Sequence, residues 1–502
     1  MRSLSANRVL APLIVVIALG AVYGLAMFSR TATLGPGRPV LPPRSAAATS
    51  VVRACPSPGL AGSAATGVAL VAAPVTAGQG HAEVSRLGAT ASTSPLHRLT
   101  NPGRLSVATV RAARTAHRVT APSGGPPVRT VAAQGGVVVQ ATGSMARGLE
   151  VEQISAGGIP SARCESPGTD FWFVGPGQHG LARIQLFLEN AGSEPADVNV
   201  EISTDAGPRQ GSPDTGIPVA PHSMVVQSLA PALHESRVVA LHVRTSVGQV
   251  VAAVEETTHA GGTGAWLPVA QAPATRVVLP GLPAAAGTRQ LFVAVPGTRD
   301  AHLKLTAVTT KGSYQPTGST GLDIPGSSAA AIPLPSLSGV PAALKLSSDV
   351  PITASAMLTG GPSGAPGVFT AAALPLQEQG VVAYDKAGGG TASQLVLSAP
   401  GRTVTARITE IGTAGAAGAP KTVEVLAGHS LVAQLGKSGG AGRRSAFSVM
   451  ITPLAGSGPL YAGRVVTSSG TGGTLQSLLP VVSALTMVPL PHVQNTFITM
   501  VP

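Results

Sequence analysis

Few side chains in this sequence stand at the spacings that chemistry requires. The run Gly175-Pro176-Gly177-Gln178-His179-Gly180 has the form G-x-G-x-x-G and follows the apolar stretch Phe171 to Val174. A dinucleotide fingerprint must open a helix whose N-terminus faces the pyrophosphate. Leu181 to Asn190 instead carry a strand pattern, so these glycines read as a turn. Gly436-Lys437-Ser438 resembles the end of a phosphate loop, but Leu431 stands where that loop needs its first glycine. Ser438 with His429 offers a nucleophile and a base, yet a triad also needs an orienting carboxylate, and the segment reads as a glycine-rich turn. Glu255-Glu256 and Asp205 with Asp214 are carboxylate pairs of the kind a glycosidase uses, and equally of the kind that decorates strands and turns. The 11 histidines include no H-E-x-x-H, so neither a catalytic metal nor a cofactor is predicted. Only Phe171, Trp172, Phe173 and Trp266 concentrate aromatic surface. They are the candidate binding residues, as a platform for a sugar or a partner protein; the alternative is that they fill a core or a junction.

Composition excludes whole classes of function. Lys and Arg number 33 against 21 Asp and Glu, a net charge of +12, but the basic residues are scattered and only Arg443 and Arg444 are adjacent. Nucleic-acid binders cluster such charge with stacking aromatics, so no nucleic acid is expected. Charged residues make up 11% of the chain and hydrophobic ones 44%, which is the reverse of a disordered composition. With 502 residues the length suits three or four domains.

The segment from Val9 to Phe28 holds no charge over twenty residues, enough for a helix to span about 30 Å of hydrocarbon. Arg2 and Arg8 precede it, which places residues 1–8 in the cytoplasm and the bulk of the chain outside. The expectation is a single-pass protein of the cell membrane; the alternative is secretion after signal cleavage. Residues 29–50, rich in Pro, Ala and Arg, read as a semi-extended linker. In an exported chain the two cysteines, Cys55 and Cys164, are expected to form a disulfide, the alternative being free or metal-binding thiols.

Beyond the linker the sequence repeats. ARIQLFLEN from Ala182, RQLFVAVPG from Arg289 and SQLVLSAPG from Ser393 align, with Leu186, Leu291 and Leu395 at intervals of 105 and 104 residues. Each is followed by a second alternating run, at Asp197 to Thr204, His302 to Thr309 and Thr403 to Ile411. Each unit closes on a Leu-Pro, at Leu267-Pro268, Leu374-Pro375 and Leu479-Pro480. Six or seven short strands per unit, punctuated by Gly and Pro, predict an all-β chain of tandem Ig-like sandwiches of about 105 residues. A β-propeller-like ring, with two blades per unit, is the alternative. A divergent first unit is traced by Cys55-Pro56-Ser57-Pro58-Gly59, which matches Cys164-Glu165-Ser166-Pro167-Gly168. Between Ala77 and Pro127 it is poor in periodic strands and reads as a long loop or an elaborated edge. The expected units are residues 51–160, 161–272, 273–378 and 379–502, the last with a closing strand.

An N-terminal anchor, the C-P-S-P-G segment, the R-C-E-S-P-G-T-D-F-W segment at Arg163 and the L-P-G strand at Leu279 together resemble a known family. They are similar to the actinobacterial envelope proteins grouped as domain of unknown function 5719. The resemblance implies an exported, membrane-anchored protein, often encoded beside a membrane glycosyltransferase, and supplies no catalytic residues. The function expected is therefore a non-enzymatic scaffold or protein-interaction module in cell-envelope assembly. Two alternatives stand beside it: a carbohydrate-binding or export accessory to an envelope glycosyltransferase, meeting cell-wall polysaccharide through Trp172 and Trp266, and a hydrolase built on sandwich loops.

Overall fold

The computed structural model describes residues 45–489, apart from residues 111–135 and shorter loop stretches. The expected membrane segment, residues 9–28, lies outside the described residues, as do residues 29–44 of the expected linker. Among the described residues no helix is long and apolar enough to cross a membrane. Ala47–Val488 form one compact unit. The last residues of the expected linker carry strands, Ser45–Ala47 and the start of Ser50–Cys55.

The described chain is all-β, its one helical turn a 3₁₀ segment at Ala230–Leu233. Four pairs of antiparallel sheets follow one another. In the first pair Ser50–Cys55, Val137–Gly143, Gly80–Arg86 and His97–Leu99 form one sheet. Ser106–Val110, Thr66–Val71, Glu150–Ile154 and Pro160–Arg163 form the other. Val68, Leu70, Val84, Val139 and Val151 fill the space between them. The region expected to be a loop or edge thus holds the strand Gly80–Arg86, paired from Ala82↔Ala141 to Val84↔Val139. Its alternation was hard to see because only Ala82 and Val84, between His81, Glu83 and Ser85, mark the inward face.

The second pair is built on Asp170–Pro176, Val238–Val247 and Ala196–Thr204 in one sheet and Ser223–Ser228, Arg183–Asn190, Val251–Thr257 and Ala265–Leu267 in the other. In the third pair the sheets share a strand. Ala342–Thr359 runs for 18 residues, pairing through Leu346↔Leu305 in its first half and Ala356↔Leu291 in its second. Ser347, Ser348 and Asp349 interrupt the apolar pattern, but the chain crosses from one layer to the other without leaving extended geometry. The fourth pair combines Gly380–Lys386, Ala446–Pro453, Val404–Gly412 and Lys421–Val425 with His429–Gln434, Thr391–Ala399, Tyr461–Gly470 and Gly473–Val481. The three aligned leucines hold matching places. Leu186 lies between Gln227 and Val254, Leu291 between Ile332 and Ala356, and Leu395 between Ala433 and Arg464.

Successive pairs also pack on each other, which explains a sequence so rich in Ala and Val and so poor in charge. Ala54 and Val138 of the first pair meet Phe187, Met224 and Val226 of the second. Phe292, Ala294 and Phe369 of the third join the core of the second. Val278, Val308 and Ala343 of the third pack near Tyr461 of the fourth. The fourth returns to the first, with Tyr384 against Ala69 and Ile154, and Val381 and Ala383 against Val71. Strands buried on both faces read as continuous apolar runs rather than alternating ones, as in the buried runs Phe171 to Pro176 and Val277 to Leu282.

The glycine of the L-P-G strand has a specific cause. Gly281 adopts a φ of 88°, and a Cβ on Gly463 would stand 2.4 Å from its Cα. Two backbones of neighbouring sheet pairs touch there, and only paired glycines permit it.

Candidate functional site

The four aromatic candidates do not share a surface. Phe173 is fully buried and Phe171 is 7% exposed, both within the core of the second sheet pair. Trp172 is 9% exposed, packs with Ala270 and Ala371 at the junction with the third pair, and stacks on His242 with ring centres 3.8 Å apart. His242 is itself held between Asp170 and Glu201, at 3.1 and 3.2 Å. Trp266 differs: half-buried, tilted against Phe187 at 5.2 Å, it lines a cleft.

That cleft encloses about 500 Å³ including its open mouth, and three sheet pairs contribute to it. Pro56, Arg163 and Glu165 come from the first pair and its exit, Trp266 and Pro268 from the second, and Pro480 from the fourth. These are motif residues. Pro56 and Glu165 directly follow the two cysteines of the matching C-x-S-P-G segments, while Pro268 and Pro480 belong to the Leu-Pro pairs that close sequence units. Leu374, of the third such pair, is instead 59% exposed.

The cleft floor is fixed by covalent and ionic links. Cys55 and Cys164 form the expected disulfide, closing a separation of 109 residues, and both cysteines sit in the first core. Beside it Glu150 accepts two hydrogen bonds from the Arg163 guanidinium, both at 2.9 Å, and one from Arg53 at 2.8 Å. Arg163 also bonds Glu165, and Arg53 reaches Ser166 at 2.7 Å. Burial works against the charge on Arg163, but the carboxylates of Glu150 and Glu165 outweigh it and hold its pKa above the ordinary value. Two cations and two anions make the cluster neutral. The geometry is that of a preset frame, and Arg163 and Glu165 line the cleft together with Trp266, Pro56, Pro268 and Pro480.

Of the residues considered for catalysis, none of the described ones lines the cleft. Gly175 lies in the strand Asp170–Pro176 and Gly177 just after it, and the next described element is the strand Arg183–Asn190, not a helix. Glu255 and Glu256 are neighbours on the strand Val251–Thr257 and so point to opposite faces. Both are buried, at 5% and 1% exposure. Burial raises the Glu255 carboxyl to about 7, against the pull of Arg183, and raises Glu256 well above the ordinary range. Asp205 accepts the Arg237 amide; Asp214, Lys437 and Ser438 lie outside the described residues. Among the described residues no group of three or more His, Cys, Asp or Glu side chains is arranged to hold a metal.

Sequence reasoning missed a second ionic cluster, where the fourth sheet pair returns to the first. Arg464 Nη1 donates to Glu152 Oε2 at 2.9 Å and to the Tyr384 carbonyl at 2.7 Å. Glu152 Oε1 accepts the Ala383 amide at 3.2 Å, and Asp385 lies close by, fully buried. The signal available was a charge inside an apolar strand, as in VEQI and YAGRVV, which ordinarily marks an exposed position.

The described residues thus form an all-β molecule of packed sheet pairs with a motif-lined cleft. By sequence the chain belongs to the family of unknown function DUF5719, whose model matches residues 117–436. No curated protein matches it. Among solved structures it is similar to the crystal structure of Thermotoga maritima 1070, at 16% identity and a TM-score of 0.19, over 21% of this chain and 93% of that one.

Proposed function

We propose that this protein is a non-enzymatic binding scaffold of the cell envelope, held to the membrane by residues 9–28 with its β-structure outside. The four sheet pairs act as repeats closed into a ring, a sandwich array and a propeller-like arrangement at once. Support for closure comes from the Arg464–Glu152 pair and from Tyr384 packed on Ala69 and Ile154. The observation that carries the binding role is the cleft, because the recurring motif residues of three sheet pairs converge on it beside a disulfide and a neutral ionic frame. Rigid placement of a few side chains by packed elements is what a recognition site needs.

Trp266 favours one version of this reading, an accessory that holds a sugar of an envelope polysaccharide for a membrane glycosyltransferase. An aromatic face beside a guanidinium and a carboxylate offers stacking and directed hydrogen bonds together. The test is mild cross-linking of the full chain in its own membrane, followed by purification and mass spectrometry. Reproducible recovery of a glycosyltransferase or polymer-export component supports the proposal. Recovery of the protein alone, with no glycan retained, overturns it.

A further inference from the structure

The contact between the first and fourth sheet pairs contains more acid than base. Arg464, on the strand Tyr461–Gly470, shares its face with the core residue Ala462 and carries the one positive charge of the cluster. Glu152 and Asp385 oppose it, so with both carboxylates ionised the cluster carries a net negative charge in a space where Arg464, Glu152 and Asp385 are 1%, 6% and 0% exposed. We propose that this seam is a proton-dependent latch: a proton on Asp385 keeps the cluster neutral and the seam closed, and its loss loosens this seam selectively.

The surroundings of each group support that assignment. Asp385 Oδ1 accepts the Lys386 amide at 2.8 Å, the Ser393 hydroxyl lies beside the carboxylate, and Oδ2 has no hydrogen-bond partner among the described residues. The charges acting on Asp385 are Arg464, which favours ionisation, and Glu152, which opposes it. Those acting on Glu152 are Arg464 and Glu150, and Glu150 is already engaged by Arg53 and Arg163. Arg464 contacts Glu152 through Nη1, while its Nε and Nη2 have no hydrogen-bond partner among the described residues. Burial, the largest influence on both acids, raises both, with Asp385 pushed up to about 7. A second carboxylate charge therefore appears at the seam as the pH passes neutrality, with no second cation to meet it.

Opening the seam would reach the cleft, since Leu479 and Pro480 of the fourth pair help to line it beside Arg163 of the first. That consequence rests on the proposed binding role; the latch itself does not. The test is hydrogen exchange of the full chain between about pH 6 and pH 8.5, corrected for intrinsic rates. The latch predicts that exchange in residues 150–154 and 381–386 rises about tenfold or more at the higher pH, while the contact between the third and fourth pairs, at Val278 and Val308, does not change. Asp385→Asn, which fixes the uncharged form, is expected to abolish the pH response. An equal response at both contacts, no response at either, or an unchanged response in a folded Asp385→Asn protein overturns the latch. None of these outcomes depends on whether the cleft binds anything.

Discussion

Arg464 and Glu152 are 312 positions apart in sequence, yet their side chains meet at 2.9 Å with Arg464 only 1% exposed. Removing the cation leaves Glu152 and Asp385 buried without a counter-charge, which costs about 3–5 kcal/mol. Arg464→Met is therefore expected to destabilise strongly, and Glu152→Gln less, because Asp385 still opposes Arg464. The double variant recovers much of the loss, as measured by denaturant unfolding. Additive losses would show that the two side chains are not coupled.

The disulfide supports the first sheet pair against a long unfolded loop. A bridge closing 109 residues is expected to contribute about 4–5 kcal/mol through the unfolded state. Reduction should lower the thermal midpoint and expose the ionic cluster of Arg53, Glu150 and Arg163. Peptide mapping under non-reducing conditions that finds both thiols free would contradict the assignment.

Gly463→Ala tests the contact between the third and fourth pairs. The new methyl would stand 2.4 Å from the Gly281 Cα, where only backbone could give way. A loss of roughly 1–3 kcal/mol is expected, as for other forced overpacking. Gly297→Ala is the control, because nothing lies within 4 Å of its added Cβ and a change within about 0.5 kcal/mol is expected.

Stability should fall as the pH rises through neutrality. Burial raises Glu256 and holds Glu255 and Asp385 near 7, so between about pH 4 and 7 the native state binds protons that the unfolded chain has released. Their stabilisation is fully present below the unfolded values near 4 and is lost as the pH passes the folded ones. A carboxyl moved from about 3.9 to about 7 gives up about 4 kcal/mol across that window. Thermal midpoints should thus be higher at about pH 5.5 than at about pH 8.5; a midpoint that rises with pH would count against these assignments.

The β-character of the chain was legible because period-two patterns survive in strands such as Ala196–Thr204 and Ala301–Thr309, where one face stays partly exposed. The disulfide was legible from a single pair of cysteines in a chain expected to be exported, and their matching motif places carried the alignment. Burial of Phe171, Trp172 and Phe173 was legible as one of two readings, since an aromatic run looks the same on a platform and in a core until its neighbours are known. Glu152 and Arg464 were invisible for a related reason. Their partners are hundreds of residues away, and no local spacing announces a contact made by bringing the chain back upon itself.

The most direct test of the binding role fills the cleft without touching its ionic frame. Val482 lines the cleft and is half-buried, so Val482→Trp should occupy the space beside Trp266. Capture of envelope proteins and glycans by the full chain would be compared between this variant and the unaltered protein at matched thermal midpoints. The account predicts that the partner or glycan recovered with the unaltered protein is lost with Val482→Trp. Equal recovery by both would show that the cleft is not where this protein binds.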